Sequence, residues 1–114
     1  MKRKVLLVIG IAAACAGIAI GAVKWDINRD VKIYIRIAQQ AHPVESDDVA
    51  SLIAYVNSSE HTLKEKNHVV WALGQIGDTR AAAALRPYYT GEKCNHADEL
   101  CQKELRKALD QCQD

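Results

Sequence analysis

The sequence predicts an all-α protein: one N-terminal apolar helix, then a short α-solenoid of about two and a half helix pairs. Three observations carry this. Residues 5–23 contain only Val, Leu, Ile, Ala, Gly and Cys, without a charge. From residue 44 onward, apolar positions recur at helical spacing between residues that start and stop helices. The segment 108–114 (Ala-Leu-Asp-Gln-Cys-Gln-Asp) also repeats 72–78 (Ala-Leu-Gly-Gln-Ile-Gly-Asp) at an offset of 36.

The apolar run comes first. Nineteen helical residues span roughly 28 Å, close to a hydrocarbon core of about 30 Å. Lys2, Arg3 and Lys4 precede the run, and Lys24, Trp25 and Asp26 close it. This reads as a transmembrane anchor over residues 1–25, with Trp25 at the interface and the basic tail on the cytoplasmic side. Basic groups at Lys24, Arg29, Lys32 and Arg36 dilute that orientation signal. Two processing alternatives stay open. Ala12-Ala13-Ala14 has the form of a signal-peptidase site, and Ala14-Cys15 resembles a lipoprotein site with Ala12 where Leu is usual. All three readings export the remainder. The expected location is the bacterial inner membrane, single pass, with the C-terminal domain periplasmic. Ala13, Gly17 and Gly21 recur every four residues and form a small-residue stripe that could pack against another helix.

About 90 residues remain after the run, enough for one small domain. Residues 26–43 are expected to form a connecting helix. The stretch 31–37 alternates as a strand would, but no second strand-like segment exists to pair with it. Read as a helix, it sets Lys32 and Arg36 opposite Val31, Ile35 and Ala38; His42-Pro43 then stops it. Residues 44–114 form the helical domain. Ser46, followed by Asp47 and Asp48, is expected to start one helix, with Val49, Leu52, Ile53 and Val56 on its apolar face. Thr62 starts the next, with Val69, Leu73 and Ile76 inward, and Gly77 ends it. Asp78 caps a fourth that reaches Pro87, and the last is expected over 98–113.

Glu45 to Ser59 overlays Asp78 to Glu92 more loosely at 33, with Leu52 on Leu85 and Tyr55 on Tyr88. The stretch 68–85, through Ala72-Leu73-Gly74, Ile76-Gly77-Asp78 and Leu85, resembles a HEAT repeat, and more closely the HEAT-like repeats associated with phycobilisome lyases. The likeness is clearest over about 62–90 and weak over 44–60 and 95–114. It implies a HEAT-like α-solenoid in which Ala72 and Gly74 permit close helix packing and Gly77-Asp78 makes the corner. It also implies an inner surface lined by the second helix of each unit. Arg80 and Arg86 fall there, with Tyr88 and Tyr89 beside them, as candidate contacts for a protein partner; Arg and Tyr are enriched at interfaces. The competing reading pairs Arg80 with an acid of the adjacent unit and packs the tyrosines.

The cysteines are the other candidate site. Cys15 lies in the apolar run, while Cys94, Cys101 and Cys112 fall in the last twenty-one residues. Cys101 and Cys112 would stand about 16 Å apart on one helix, too far to bond. Cys94 can fold back on Cys101, so a Cys94–Cys101 disulfide is expected, with Cys112 a buried thiol in the place of Ile76. Zinc on Cys94, His96, Cys101 and Cys112 is the rival, although C-x-H-x4-C-x10-C matches no common zinc spacing. His61 and His68 are expected on a solvated edge and His42 in a turn.

No nucleophile–base–acid pattern and no Gly-rich phosphate loop is present, so neither catalysis nor a cofactor or metal is expected. Residues 1–40 carry seven basic and two acidic groups (+5), and 41–114 eight and twelve (−4). A chain-wide basic footprint for nucleic acid is therefore lacking. The resulting expectation is a membrane-tethered, non-catalytic scaffold or adaptor that binds a protein. A lyase- or chaperone-like factor of the phycobilisome HEAT type, and a small thiol- or metal-handling envelope protein, are the alternatives.

Overall fold

The computed structural model describes residues 2–113, and of residues 2–20 the backbone alone. Among the described residues every regular element is helical: α1 Lys2–Ala41, α2 Asp48–Asn57, α3 Leu63–Ile76, α4 Thr79–Leu85 and α5 Gln102–Gln111, with a 3-10 turn at Arg86–Tyr88. No helix among the described residues is long and apolar enough to cross a membrane. Most of the apolar run, including Ala13, Cys15 and Gly17, lies outside the described side chains. Among the described residues, nothing lies within 4 Å of the would-be Cβ of Gly21.

Local chemistry sets the boundaries. Thr62 caps α3 by accepting from Glu65 N–H at 3.2 Å, and Asp78 caps α4 by accepting from Arg80 N–H at 2.9 Å. Gly77 closes α3 at φ +74°, a left-handed conformation that other residues adopt at a cost. Pro87 turns the end of α4 into the 3-10 turn. Two expected starts move. Asp47, not Ser46, caps α2, accepting from Ala50 N–H at 3.1 Å, because Glu45 and Ser46 take positive φ in the turn before it. The last helix begins at Gln102 rather than Asp98. Residues 95–99 form a turn of their own, in which Asn95 Nδ2 donates to Asp98 Oδ2 at 3.1 Å. The Cys101 N–H is held by Asn67 Oδ1 at 2.9 Å, which anchors the start of α5 on α3.

One core joins all five helices. Leu52, Leu73, Leu85 and Leu105 are fully buried, with Val56, Val69, Val70 and Cys112 around them. α3 lies between α1 and α5, and α2 touches α4. Gly74 meets Ala108: a Cβ there would stand 3.0 Å from the Ala108 Cα. The small residues thus do bring α3 and α5 together. Cys112 is buried, as expected, and its thiol donates to the Leu73 carbonyl at 3.4 Å. Ile76 departs from its expected inward role. It is 36 % exposed, at the end of α3 beside Ile27 and Val31 of α1.

The stretch 26–43 is more than a connector. It is continuous with the rest of α1, and it contributes Val31 and Ala38 to the core. Its direction is also informative. Tyr34 meets His68 and Trp71, while His42 meets His61, so α1 runs opposite to α3. In contrast, Asn67 meets Cys101 and Gly74 meets Ala108, so α3 and α5 run the same way, as successive repeats do. Arg80 meets Asp47 near the starts of α4 and α2, and Tyr88 meets Asn57 near their ends, so these too run together. Parallel contacts thus relate α2 to α4 and α3 to α5, and α1 covers the flank of α2 and α3, running with α2 and against α3.

Candidate functional site

Arg80 joins two helix starts. Its Nη1 donates to Asp47 Oδ2 at 2.7 Å and its Nη2 to Asp78 Oδ2 at 3.0 Å. The hydrogen bonds from Arg80 hold both carboxyls below their usual range, and the two carboxylates push the guanidinium upward in turn. Tyr88 donates its hydroxyl to Asn57 Oδ1. Of the four expected contact residues, Arg80 and Tyr88 are therefore engaged within the fold, whereas Arg86 and Tyr89 lie open to solvent.

The loop before α5 brings two cysteines together. The Sγ atoms of Cys94 and Cys101 stand 3.2 Å apart as free thiols, Cys94 exposed and Cys101 buried. The Lys103 N–H, in the first turn of α5, donates to Cys94 Sγ at 3.4 Å. That hydrogen bond, with others from Cys101 and His96, lowers the Cys94 thiol to about 7. Burial pushes the Cys112 thiol up. Cys94, His96 and Cys101 present three ligand atoms within 4.8 Å of one another, but Cys112 sits in the α3–α5 seam, so the four-ligand zinc set does not assemble. Gln102, which no sequence signal marks, holds the loop from beneath. It is buried, accepts from Thr90 N–H at 2.7 Å and donates to the Tyr88 carbonyl at 3.0 Å.

His42 lies in the expected turn after α1, whereas His61 departs from expectation. His61 precedes α3 and is packed, not on an open edge: its ring stacks on Tyr55 with centroids 3.6 Å apart. Its Nε2 lies 2.8 Å from Nε2 of His42, which closes α1. On the far side of the ring, His61 Nδ1 faces Glu65 Oε2 at 3.7 Å, and the Tyr55 hydroxyl donates to that same oxygen at 3.1 Å. Burial, and then Glu65, push the Tyr55 phenol above its usual value. The Glu60 carboxylate lies within 4.8 Å of both imidazoles. Sequence reasoning missed this cluster because its parts end or precede three different helices. The one available hint was two histidines placed beside helix boundaries.

A shallow cleft runs over α1, α3 and α5, about 360 Å³ in volume, lined by Asp30, Tyr34, Asn67, His68, Trp71 and Glu104. Tyr34 stacks on His68 (5.5 Å between centroids) and meets the edge of Trp71. An aromatic floor is thus flanked by two carboxylates.

With this geometry in hand, the comparison with known families is specific. Residues 68–89, from α3 through α4 to the 3-10 turn, match the PBS lyase HEAT-like repeat. No curated protein and no solved structure matches the chain. The HEAT-like part of the sequence reading stands on this match, which lies on α3 and α4.

Proposed function

We propose that the chain is a non-catalytic protein-interaction module. In this reading it is a short HEAT-like scaffold or adaptor, tethered by residues 5–23 in the bacterial inner membrane, with the helical domain on the periplasmic side. The HEAT-like repeat supports the interaction role, since such repeats stack into extended binding surfaces. The observation that carries it furthest is the cleft over α1, α3 and α5. Its aromatic floor of Tyr34 and Trp71, between Asp30 and Glu104, suits a basic side chain of a partner protein laid over the rings. Arg86 and Tyr89, both exposed, are a second proposed contact point. Support for the tether is the length and charge-free composition of the run and its basic flanks.

Site-specific photo-crosslinking in intact membranes tests this. A photoreactive residue at position 71 is expected to yield a protein adduct, and Asp30→Asn with Glu104→Gln to reduce its yield several-fold. Absence of any adduct from position 71 would discard the cleft. A reporter fused after Asp114 tests the topology; a cytoplasmic C-terminus would overturn the periplasmic placement. The matched repeat also keeps a lyase-like role in view. Bilin transfer to an acceptor chromoprotein by the purified chain would favour it over a scaffold.

In an oxidising compartment, Cys94 and Cys101 are proposed to close as a disulfide. Their sulfurs need approach by only about 1.2 Å to reach bonding distance. Alkylation mass spectrometry of membrane-isolated protein is expected to label both cysteines only after reduction, and labelling without it would remove the bridge. Once reduced, Cys94 should alkylate with a half-maximal rate near pH 7, because its thiolate is the reactive form.

A further inference from the structure

We infer that His42, Glu60 and His61 form a binding site for a divalent transition-metal ion of the zinc class, clamping the end of α1 to the turn before α3. Two imidazoles from different elements point their Nε2 atoms at each other, 2.8 Å apart. In tetrahedral zinc sites, two nitrogens each bound at about 2.0–2.1 Å stand about 3.3 Å apart. An ion is therefore admitted when the two nitrogens part by about half an ångström and the rings, which face each other head-on with centroids 5.1 Å apart, tilt so that both lone pairs converge on it. The Glu60 carboxylate, within 4.8 Å of a ring nitrogen of each histidine and exposed to solvent, supplies a third ligand atom. Water would fill the fourth position.

The surroundings of His61 favour this role. A ligating histidine is ordinarily oriented by an acceptor on its other ring nitrogen, which fixes the proton there and leaves the metal-facing nitrogen free. Glu65 Oε2 faces Nδ1 of His61 at 3.7 Å, just beyond hydrogen-bond length and one small shift from taking that position, and is itself held by the Tyr55 hydroxyl. The stacked Tyr55 ring prevents His61 from rotating away. Ligand, facing carboxylate and ring support thus come from α2, α3 and the turn between them, while His42 comes from the bend just after α1. The cluster is separate from the aromatic cleft and from the Cys94–Cys101 loop, so it stands whether or not the interaction reading does.

Cobalt(II) is the probe, because its spectrum reports the ligand atoms. The full chain in detergent micelles, stripped with a chelator and then titrated, is expected to bind one ion. It should show the visible bands of a tetrahedral nitrogen–oxygen site and no thiolate-to-cobalt charge-transfer band. Zinc should displace the cobalt and raise the melting temperature. His42→Gln and His61→Gln are expected to abolish binding, and Glu65→Gln, a positioning change, to weaken it about tenfold. Cys94→Ser should leave it intact. A thiolate band on the wild-type chain, which requires no variant to fold, would move the ion to the cysteine loop and overturn the proposal. So would failure to bind cobalt stoichiometrically, or unchanged affinity in both folded histidine variants.

Discussion

At the level of single residues, the side chain with the widest reach is Arg80, which satisfies two capping carboxylates thirty-three and two residues away. Its effect should be visible in acid. Asp47 and Asp78 have lowered pKa values in the fold, so their stabilising contribution is complete above the unfolded carboxyl value of about 3.9 and disappears as pH falls through the lower folded values. Arg80→Gln is therefore expected to lower the melting temperature at pH 7 and to make no difference once both acids are protonated. Melting curves recorded from neutral to strongly acid pH check this. An equal loss at every pH would mean that Arg80 acts through packing alone. The basis of that expectation is short-range: the caps were legible at Thr62, Gly77 and Asp78 because a cap is written in the few residues around it. Asp47 was displaced from its expected place by one residue because the positive φ of Glu45 and Ser46 depends on how the chain leaves α1.

Between elements, the controlling contact is the seam of α3 and α5. Gly74 has no room for a methyl group, since a Cβ would stand 3.0 Å from the Ala108 Cα and closer still to the Gln111 side chain. Gln111 can swing aside, but Ala108 is backbone. Gly74→Ala should therefore push the helices apart and destabilise by about 1–3 kcal/mol despite the better helix propensity of alanine. Urea denaturation measures this, and a stabilised variant would show that the seam is loose. The motif marked Ala72 and Gly74 as sites of close helix packing, but that Gly74 meets Ala108 is seen in the structure alone. What repetition cannot display is a contact made by only one copy. Gln102 under the loop, Asn67 on the Cys101 amide, and the facing His42 and His61 all join unlike segments. Their partners are set by tertiary packing, so no local spacing announces them. The same limit applied to Ile76, which stands 36 % exposed beside Ile27 and Val31 of α1.

For the molecule as a whole, the unexpected feature is α1. Composition divided it at about residue 25, into an apolar run and a polar connector, and that division is real as chemistry. As architecture it is absent, because a single helix carries both, and its second half is part of the core through Val31 and Ala38. A continuous helix transmits angle as well as distance. Each residue added to it turns everything beyond by about 100° and advances it by about 1.5 Å. One alanine inserted after Lys24 should thus swing the aromatic cleft about a quarter-turn around the α1 axis without unfolding the domain, while seven would return it to within about 20° of its starting bearing. Crosslinking from position 71 is expected to fall after the single insertion and to recover after the seven-residue one. Equal adduct yields in both would show that the domain swivels. Anything that grips residues 2–20 then dictates the compass heading of the cleft, and α1 acts as an axle keyed to the domain.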